Sequence, residues 1–565
     1  MESDNKNPSK PSLFVDSITF NNGETIPLNH DDIVVFVGPN NAGKSQSLKD
    51  VFSLLQKNSF TKIVKSIQAN IYNNEDVIKW LSTFSTLRQT PAEYQGLGFS
   101  IYASYISADR FKQPYWYYRD LFAVTLSTEN RLAITKPARL INNQDALDHP
   151  IQFLKKDPSV RAASSDFVFR AFGTHITPGF DASETPLYVG DPIKLNGSYK
   201  DEQTRMEEYR NRLIKLPVLH EQGDGMRSLT GILLYLLIPH YSCFFIDEPE
   251  SFLHPPQANA LGEILIDAVP QNTQVFLATH SQEFLAGLIS KSPNRVKIIR
   301  VTRDRDQNGI RLLNNSAITE IANDPFLYYS GIFNSLFHDS VVICESESDC
   351  RLYSLILNDI KKAQGKPNNT LFLHCGGKHR IAKIVKFLKL IGINFRVIVD
   401  IDILDNPNVI KTLYEECGGQ IDSDFTSNYK RLVSGVESLK KNISWPELED
   451  KIKWFQEKFK GKDLLNSKEI KEIRSITTTE SPWAQIKRSG FTAIPGGQPS
   501  QAADSLNGLL MKAGIFIVPV GELEGFAKTI EGHGPSWVET LLERHPNLSD
   551  PIYTTVRDFI KELKI

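Results

Sequence analysis

At 565 residues the chain is long enough for two to four domains, each with its own core. Its formal charge of −2 and pI near 6.7 exclude a chain that is basic throughout, so any surface for a polyanion must be a local patch. No apolar run reaches the roughly 18 residues of a membrane span, and the opening MESDNKNPSKPS has no apolar signal core. Five cysteines form no CxxC pair, which with the missing signal points to the reducing cytoplasm and to no membrane partner.

The first stretch, 11–50, reads as strands, a glycine-rich loop and the start of a helix. Ile33-Val34-Val35-Phe36-Val37 is short, apolar and β-branched, as a buried parallel strand should be. It runs into Gly38-Pro39-Asn40-Asn41-Ala42-Gly43-Lys44-Ser45, a complete GxxxxGK[ST] loop. Glycines let the backbone wrap phosphate, N–H groups and a helix N-terminus hold the anion, Lys44 reaches the β- and γ-phosphates, and Ser45 ligates Mg²⁺. The chemistry expected there is ATP binding and hydrolysis.

Residues 60–215 carry the weakest pattern and read as remaining sheet plus an insertion at about 110–215. Arg110, after strand-like 99–107, is a candidate nucleotide contact, although a solvated arginine is the commoner reading. The aromatics Tyr115 to Tyr118 suit base stacking or, more commonly, core packing.

Order returns at 216–335. A helix is expected over 228–237, and Cys243–Ile246 and Gln274–Ala278 are two more buried strands with a helix between them. The first of these strands ends in Asp247 and Glu248, which would hold Mg²⁺ through water and activate the attacking water respectively. The second ends in Thr279-His280-Ser281, where His280 is placed to sense a γ-phosphate.

A second α/β series starts near 338. Its predicted strands are 340–344, 371–375, 395–399 and 515–520, with helices near 349–362, 378–390 and 501–513. The interval 405–498 interrupts it with charged, mostly helical sequence, in which lysines, acids and Trp445, Trp454 and Phe455 suit either a solvated face or a DNA path. Glu345 ends the first strand, Asp349 follows one turn later, and Asp400 and Asp402 form a DxD after the third. Strand alternation sends both DxD side chains to one side. Hard carboxylate oxygens suit Mg²⁺ or Mn²⁺, ions that activate water and stabilise a phosphodiester's leaving oxygen.

The order of the glycine-rich loop, Gly223-Asp224-Gly225-Met226-Arg227, IDEPESFLHP (246–255) and LATHS (277–281) resembles the ABC-type ATPases of DNA-repair and overcoming-lysogenization-defect (OLD) proteins. The downstream acids resemble the TOPRIM fold of topoisomerases, primases and OLD nucleases, including Gly376-Gly377-Lys378 and Gly521-Glu522-Leu523-Glu524-Gly525. The resemblance implies an α/β chain: an ABC-type P-loop ATPase domain over 1–335, then a TOPRIM nuclease domain over 336–565 with a helical insertion. It also implies that Gly225 belongs to a signature helix that closes on a partner's ATP, hence a homodimer or higher even oligomer. Glu345, Asp400 and Asp402 are then the nuclease residues, with Asp349, Glu522 and Glu524 as further metal ligands. Gly223 stands where the signature usually has Ser, and Ser346 where a Gly is usual.

The function so implied is ATP-governed, metal-dependent cutting of nucleic acid, DNA being expected, in anti-phage defence beside a retron or other defence-system partner. Rival readings are a DNA-repair-type clamp with a non-cleaving C-terminal domain and a partner-sensing ATPase that acts through another molecule. A primase lacks its zinc-binding cysteine pairs here, and a topoisomerase lacks its strand-passage region.

Overall fold

The computed structural model describes residues 10–56, 60–73, 77–106, 115–140, 147–179, 184–195, 198–440, 444–462, 464–477 and 481–565. Arg110 lies outside these residues. The chain divides into two compact units, Met1–Pro325 and Phe326–Ile565.

The first unit is built on a six-stranded sheet in the order Gln307–Leu312, Val296–Asp304, Ile33–Val37, Gln274–Ala278, Cys243–Asp247, Ala123–Leu126. All neighbours are parallel except the first pair. The central strands Ile33–Val37, Gln274–Ala278 and Cys243–Asp247 are apolar apart from the buried Gln274 and the terminal Asp247, because both faces are covered, and burying each large side chain contributes about 1.5–3 kcal/mol. Phe245 and Phe276 stack in the core with centroids 4.7 Å apart. Ala123–Leu126 closes one sheet edge from within the stretch read as insertion. Its four residues are too short for a periodicity signal, and pairing with Cys243–Ile246 decides its state.

Register sets where the chemistry lies. Parallel pairing of Asp247 with Ala278, and of Phe36 with Ala278, brings the glycine-rich loop, Asp247-Glu248 and Thr279-His280 to one edge of the sheet. The helix Lys44–Leu54 starts at Gly43, whose φ of 105° is left-handed.

The second unit holds a four-stranded parallel sheet in the order Thr370–His374, Ser340–Cys344, Asn394–Val399, Ile515–Ile517. The helices Glu347–Ala363, Pro535–Arg544 and Thr554–Glu562 share one core through Tyr353, Trp537 and Phe559. The last strand stops at Ile517, three residues short of the expected end, and the chain turns at Gly521. Among the described residues between Asp405 and Gln498 lie five α-helices, Pro407–Glu416, Ser423–Glu437, Trp445–Lys458, Ser467–Thr477 and Pro482–Ser489. Trp445–Lys458 buries no residue, and its Lys451 and Lys453 pair with Glu447 and Glu449 four residues earlier. Lys458 and Lys462 pair with Glu472 and Glu469. Paired in this way the lysines form a mixed-charge, solvated face.

Candidate nucleotide and metal sites

The glycine-rich loop is a built cradle. A Cβ at Gly38, where φ is 148°, would lie 1.9 Å from the Val301 carbonyl, so only glycine fits. Asn41 is also left-handed, at φ 61°. Lys44 Nζ donates to the carbonyls of Gly38 (2.9 Å) and Pro39 (3.0 Å), and burial lowers its pKa. Ser45 Oγ donates to Asp247 Oδ1 at 2.8 Å, which joins the two residues expected at Mg²⁺. Burial raises the Asp247 pKa, and the neighbouring Glu248 charge adds to this.

Glu248 has φ of 47°, a conformation that costs an L residue about 1–2 kcal/mol. Its N–H donates to the Ala278 carbonyl at 2.8 Å, and its half-exposed carboxylate lies 3.5 Å from His280 Nδ1 and accepts from Ser251 Oγ at 3.4 Å. Glu250 is buried and accepts from Thr279 Oγ1 (2.7 Å) and the His280 N–H (3.1 Å), while its Oε2 has no protein partner. Glu250 fixes the segment that carries His280, a role sequence reasoning missed because a third acid after Asp247-Glu248 reads as another surface charge. Gly225 lies in the first turn of the helix Asp224–Leu236, where a Cβ would meet the Phe252 carbonyl at 2.6 Å.

In the second unit, Glu345, Asp400 and Asp402 converge, each with one carboxylate oxygen within 4.8 Å of the others. Glu345 Oε1 accepts the Asp400 N–H at 3.1 Å. Asp402 sits in a single 3₁₀ turn, Ile401–Asp405, after the strand has ended, with Ile401 buried beneath. Burial, then the Asp402 charge, pushes Glu345 up to about 7. Burial, then Glu345, pushes Asp400 up to about 8.

Two lysines partly balance this cluster. Lys487 Nζ lies 3.0 Å from Asp400 Oδ2 and 3.3 Å from Asp402 Oδ2. Lys378 Nζ donates to the Asp402 carbonyl (2.9 Å) and Oδ2 (3.1 Å). Burial acts to lower Lys487, but the two aspartates overcome it and its pKa is raised. Lys487 escaped the sequence reading because it comes 85 residues after Asp402, inside the helical interval, with no local motif.

Asp349 is in neither of the two potential metal groups found among the described residues, although it lines the same cavity as Glu345, Asp400 and Glu524. Its Oδ2 accepts the Ser346 N–H at 2.9 Å, while its own N–H donates to Ser346 Oγ at 3.3 Å, a reciprocal cap on the helix Glu347–Ala363. Ser346, the departure noted in the sequence, is therefore the capping residue. Glu522 and Glu524 form the second group together with His533, which had not been singled out. Glu524 Oε1 also accepts the Gly534 N–H at 2.7 Å.

The donor set of the first group fits a hard divalent ion. It is all oxygen, and Asp402 Oδ1 is buried with no protein partner. The nucleotide loop likewise has the geometry that a bound triphosphate needs. No helix among the described residues is long and apolar enough to cross a membrane.

Residues 33–286 match the family described as "AAA domain, putative AbiEii toxin, Type IV TA system". Residues 336–402 match the "Overcoming lysogenization defect protein-like, TOPRIM domain". The Old nuclease of Escherichia phage P2 is 24% identical over 207 residues, 35% of this chain, and the match spans about a third (34%) of that relative's length. Among solved structures, the SMC head domain from Thermotoga maritima covers 54% of this chain and all of its own (100%), at 13% identity and a TM-score of 0.27. The cbiO1 component of an ABC transporter complex from Clostridium perfringens covers 51% of this chain and 85% of its own, at 12% identity and a TM-score of 0.25. The chain therefore carries a P-loop ATPase fold followed by a TOPRIM domain.

Proposed function

We propose that this chain, an ATPase domain joined to a TOPRIM domain of the overcoming-lysogenization-defect kind, is an ATP-hydrolysing, divalent-metal-dependent endonuclease acting on DNA. The observation that carries this reading is the convergence of Glu345, Asp400 and Asp402 with an unpartnered Asp402 oxygen, in a chain that also holds a complete nucleotide loop.

In the first unit, Lys44 and the loop N–H groups bind the phosphates, Ser45 and Asp247 hold Mg²⁺, and Glu248 orients and deprotonates the attacking water. His280 contacts the γ-phosphate. In the second, Glu345, Asp400 and Asp402 hold Mg²⁺ or Mn²⁺, with Glu522 and Glu524 available to a second ion. Such an ion, when bound, lowers the pKa of its water and stabilises the leaving oxygen. Lys487 keeps a cation beside Asp400, where an incoming phosphodiester would need its charge offset.

ATP turnover governs cutting. Gly225 acts across a homodimer or higher even oligomer, and the setting is cytoplasmic anti-phage defence, beside a retron or other defence partner. The family description that names a toxin–antitoxin system and the phage relative support this setting. The test is a nuclease assay on plasmid and single-stranded DNA and on RNA, with and without ATP, in Mg²⁺ or Mn²⁺. Cleavage by the parent that disappears in the double variant Glu345→Ala, Asp400→Ala is expected. A parent inert under every condition would turn the reading to a clamp with a non-cleaving TOPRIM domain.

A further inference from the structure

Arg131 is fully buried, with none of its surface exposed, in the helix Thr128–Ala133 that follows the edge strand Ala123–Leu126. A buried guanidinium is costly unless it is paired, so its partners matter. Nη1 donates to the backbone carbonyl of Glu248 at 3.1 Å, and Nη2 donates to Thr128 Oγ1 at 3.0 Å. Nε has no protein partner. The charges around it are Glu250, Asp247 and Glu248, the acids at the end of the strand Cys243–Asp247.

Its own backbone is pinned. The Arg131 carbonyl lies against Gly231 of the helix Asp224–Leu236, so close that a Cβ on Gly231 would approach it to 2.1 Å. Arg131 is thus a rigid strut with one end on the left-handed residue Glu248. That residue's conformation is disfavoured for a side chain bearing a Cβ, and three bonds hold its backbone: its N–H donates to the Ala278 carbonyl, and its own carbonyl accepts from the Ser251 N–H and from Arg131 Nη1, each at 3.1 Å, Arg131 being the one side chain among them.

We propose that Arg131 is a positioning residue of the ATPase, which fixes the backbone of Glu248 so that its carboxylate is held toward the attacking water. This rests on the reading of Glu248 as the hydrolytic base. Arg131 touches the carbonyl and not the carboxylate, so its role is aim and not charge transfer. Nη1 and Nη2 reach two acceptors from separate atoms of one planar fork, a geometry that lysine's single nitrogen does not reproduce.

The experiment uses the full chain. Arg131→Lys keeps the charge, and Thr128→Val removes the fork's other anchor at nearly constant volume. Arg131→Lys is expected to lower the turnover number of ATP hydrolysis about 10–10²-fold, the range for a group displaced by about 1 Å, while ATP affinity stays within about twofold. Thr128→Val should do the same more weakly, and melting temperature is recorded for each. In a Glu248→Gln background, Arg131→Lys should cause no further loss in single-turnover hydrolysis, because it acts through the carboxylate already removed. An equal further loss in that background, or a fall in ATP affinity matching the fall in turnover, would overturn the positioning role. A parent that hydrolyses ATP with Arg131→Lys unaffected overturns the role alone, whereas a parent with no turnover sinks the ATPase reading and this role with it.

Discussion

Lys44 makes its two bonds to carbonyls of its own loop, so its position is set before any phosphate contact. Lys44→Ala should lower ATP affinity about 10–10²-fold, the equivalent of one charged hydrogen bond of about 1.5–3 kcal/mol, as read by titration of a fluorescent ATP analogue. Glu248→Gln should instead retain ATP binding and cut hydrolysis roughly 10²–10⁴-fold. Normal turnover in that variant would leave Glu248 a structural residue. Glu345 and Asp400 have pKa values raised to about 7 and about 8, and a metal needs both ionised. Mn²⁺ affinity should therefore rise from pH 6 to 8.5, about tenfold per pH unit for each proton displaced. The stability sign is opposite in chelator. Their folded pKa values lie above the unfolded ones, so the protonated forms favour the fold at low pH and that contribution is lost as pH rises toward 7–8. The melting-temperature gain on adding Mn²⁺ should grow over the same window, and a gain that is flat with pH would contradict the assignment.

Elements differ in how much of them the sequence displays. The strand Ile33–Val37 and the loop after it are legible because local chemistry dictates both: a continuous apolar run for burial on two faces, then glycines where a Cβ cannot fit. Glu345 and Asp400 are legible because parallel strands end in them at one edge of the sheet, whereas Asp402 reaches the cluster through the 3₁₀ turn Ile401–Asp405 and not through the strand alternation expected of the DxD. Asp349, expected as a further ligand, also caps a helix through Oδ2, a second role the sequence does not display because an acid three residues after a serine serves either purpose. Arg131 and Lys487 stayed hidden because each reaches its site through contacts far away in sequence, and His533 because a lone histidine in the loop after Glu522 and Glu524 carries no motif of its own. The helix Trp445–Lys458, which buries no residue, gives a prediction at this scale. Trp454→Ala should change global stability by no more than about 0.5 kcal/mol by urea unfolding, since a surface substitution leaves no cavity. A loss of several kcal/mol would mean that this helix packs in a way the fold does not display.

The whole molecule is two compact units, each with its own sheet and its own site. Damage to one site should therefore spare the chemistry of the other. Glu345→Ala with Asp400→Ala should leave ATP turnover within about twofold of the parent while abolishing cleavage, because the two sites share no residue and each is built within its own compact unit. A collapse of ATPase activity in that variant would show the two units to be energetically inseparable. The reverse experiment bears on assembly: Glu248→Gln with ATP should sediment as a dimer or higher even species, and a strict monomer with full parental ATPase would contradict a signature helix acting in trans.

The ammonium groups of Lys378 and Lys487 give the acid cluster the character of an ion exchanger. A divalent cation that enters does not find bare charge. It trades places with salt bridges already in position, and each contact it displaces subtracts from its net gain. Occupancy then follows the ambient supply of metal instead of being fixed once at folding. A chelator should silence the nuclease reversibly, with no unfolding and with recovery on simple readdition of Mg²⁺ or Mn²⁺.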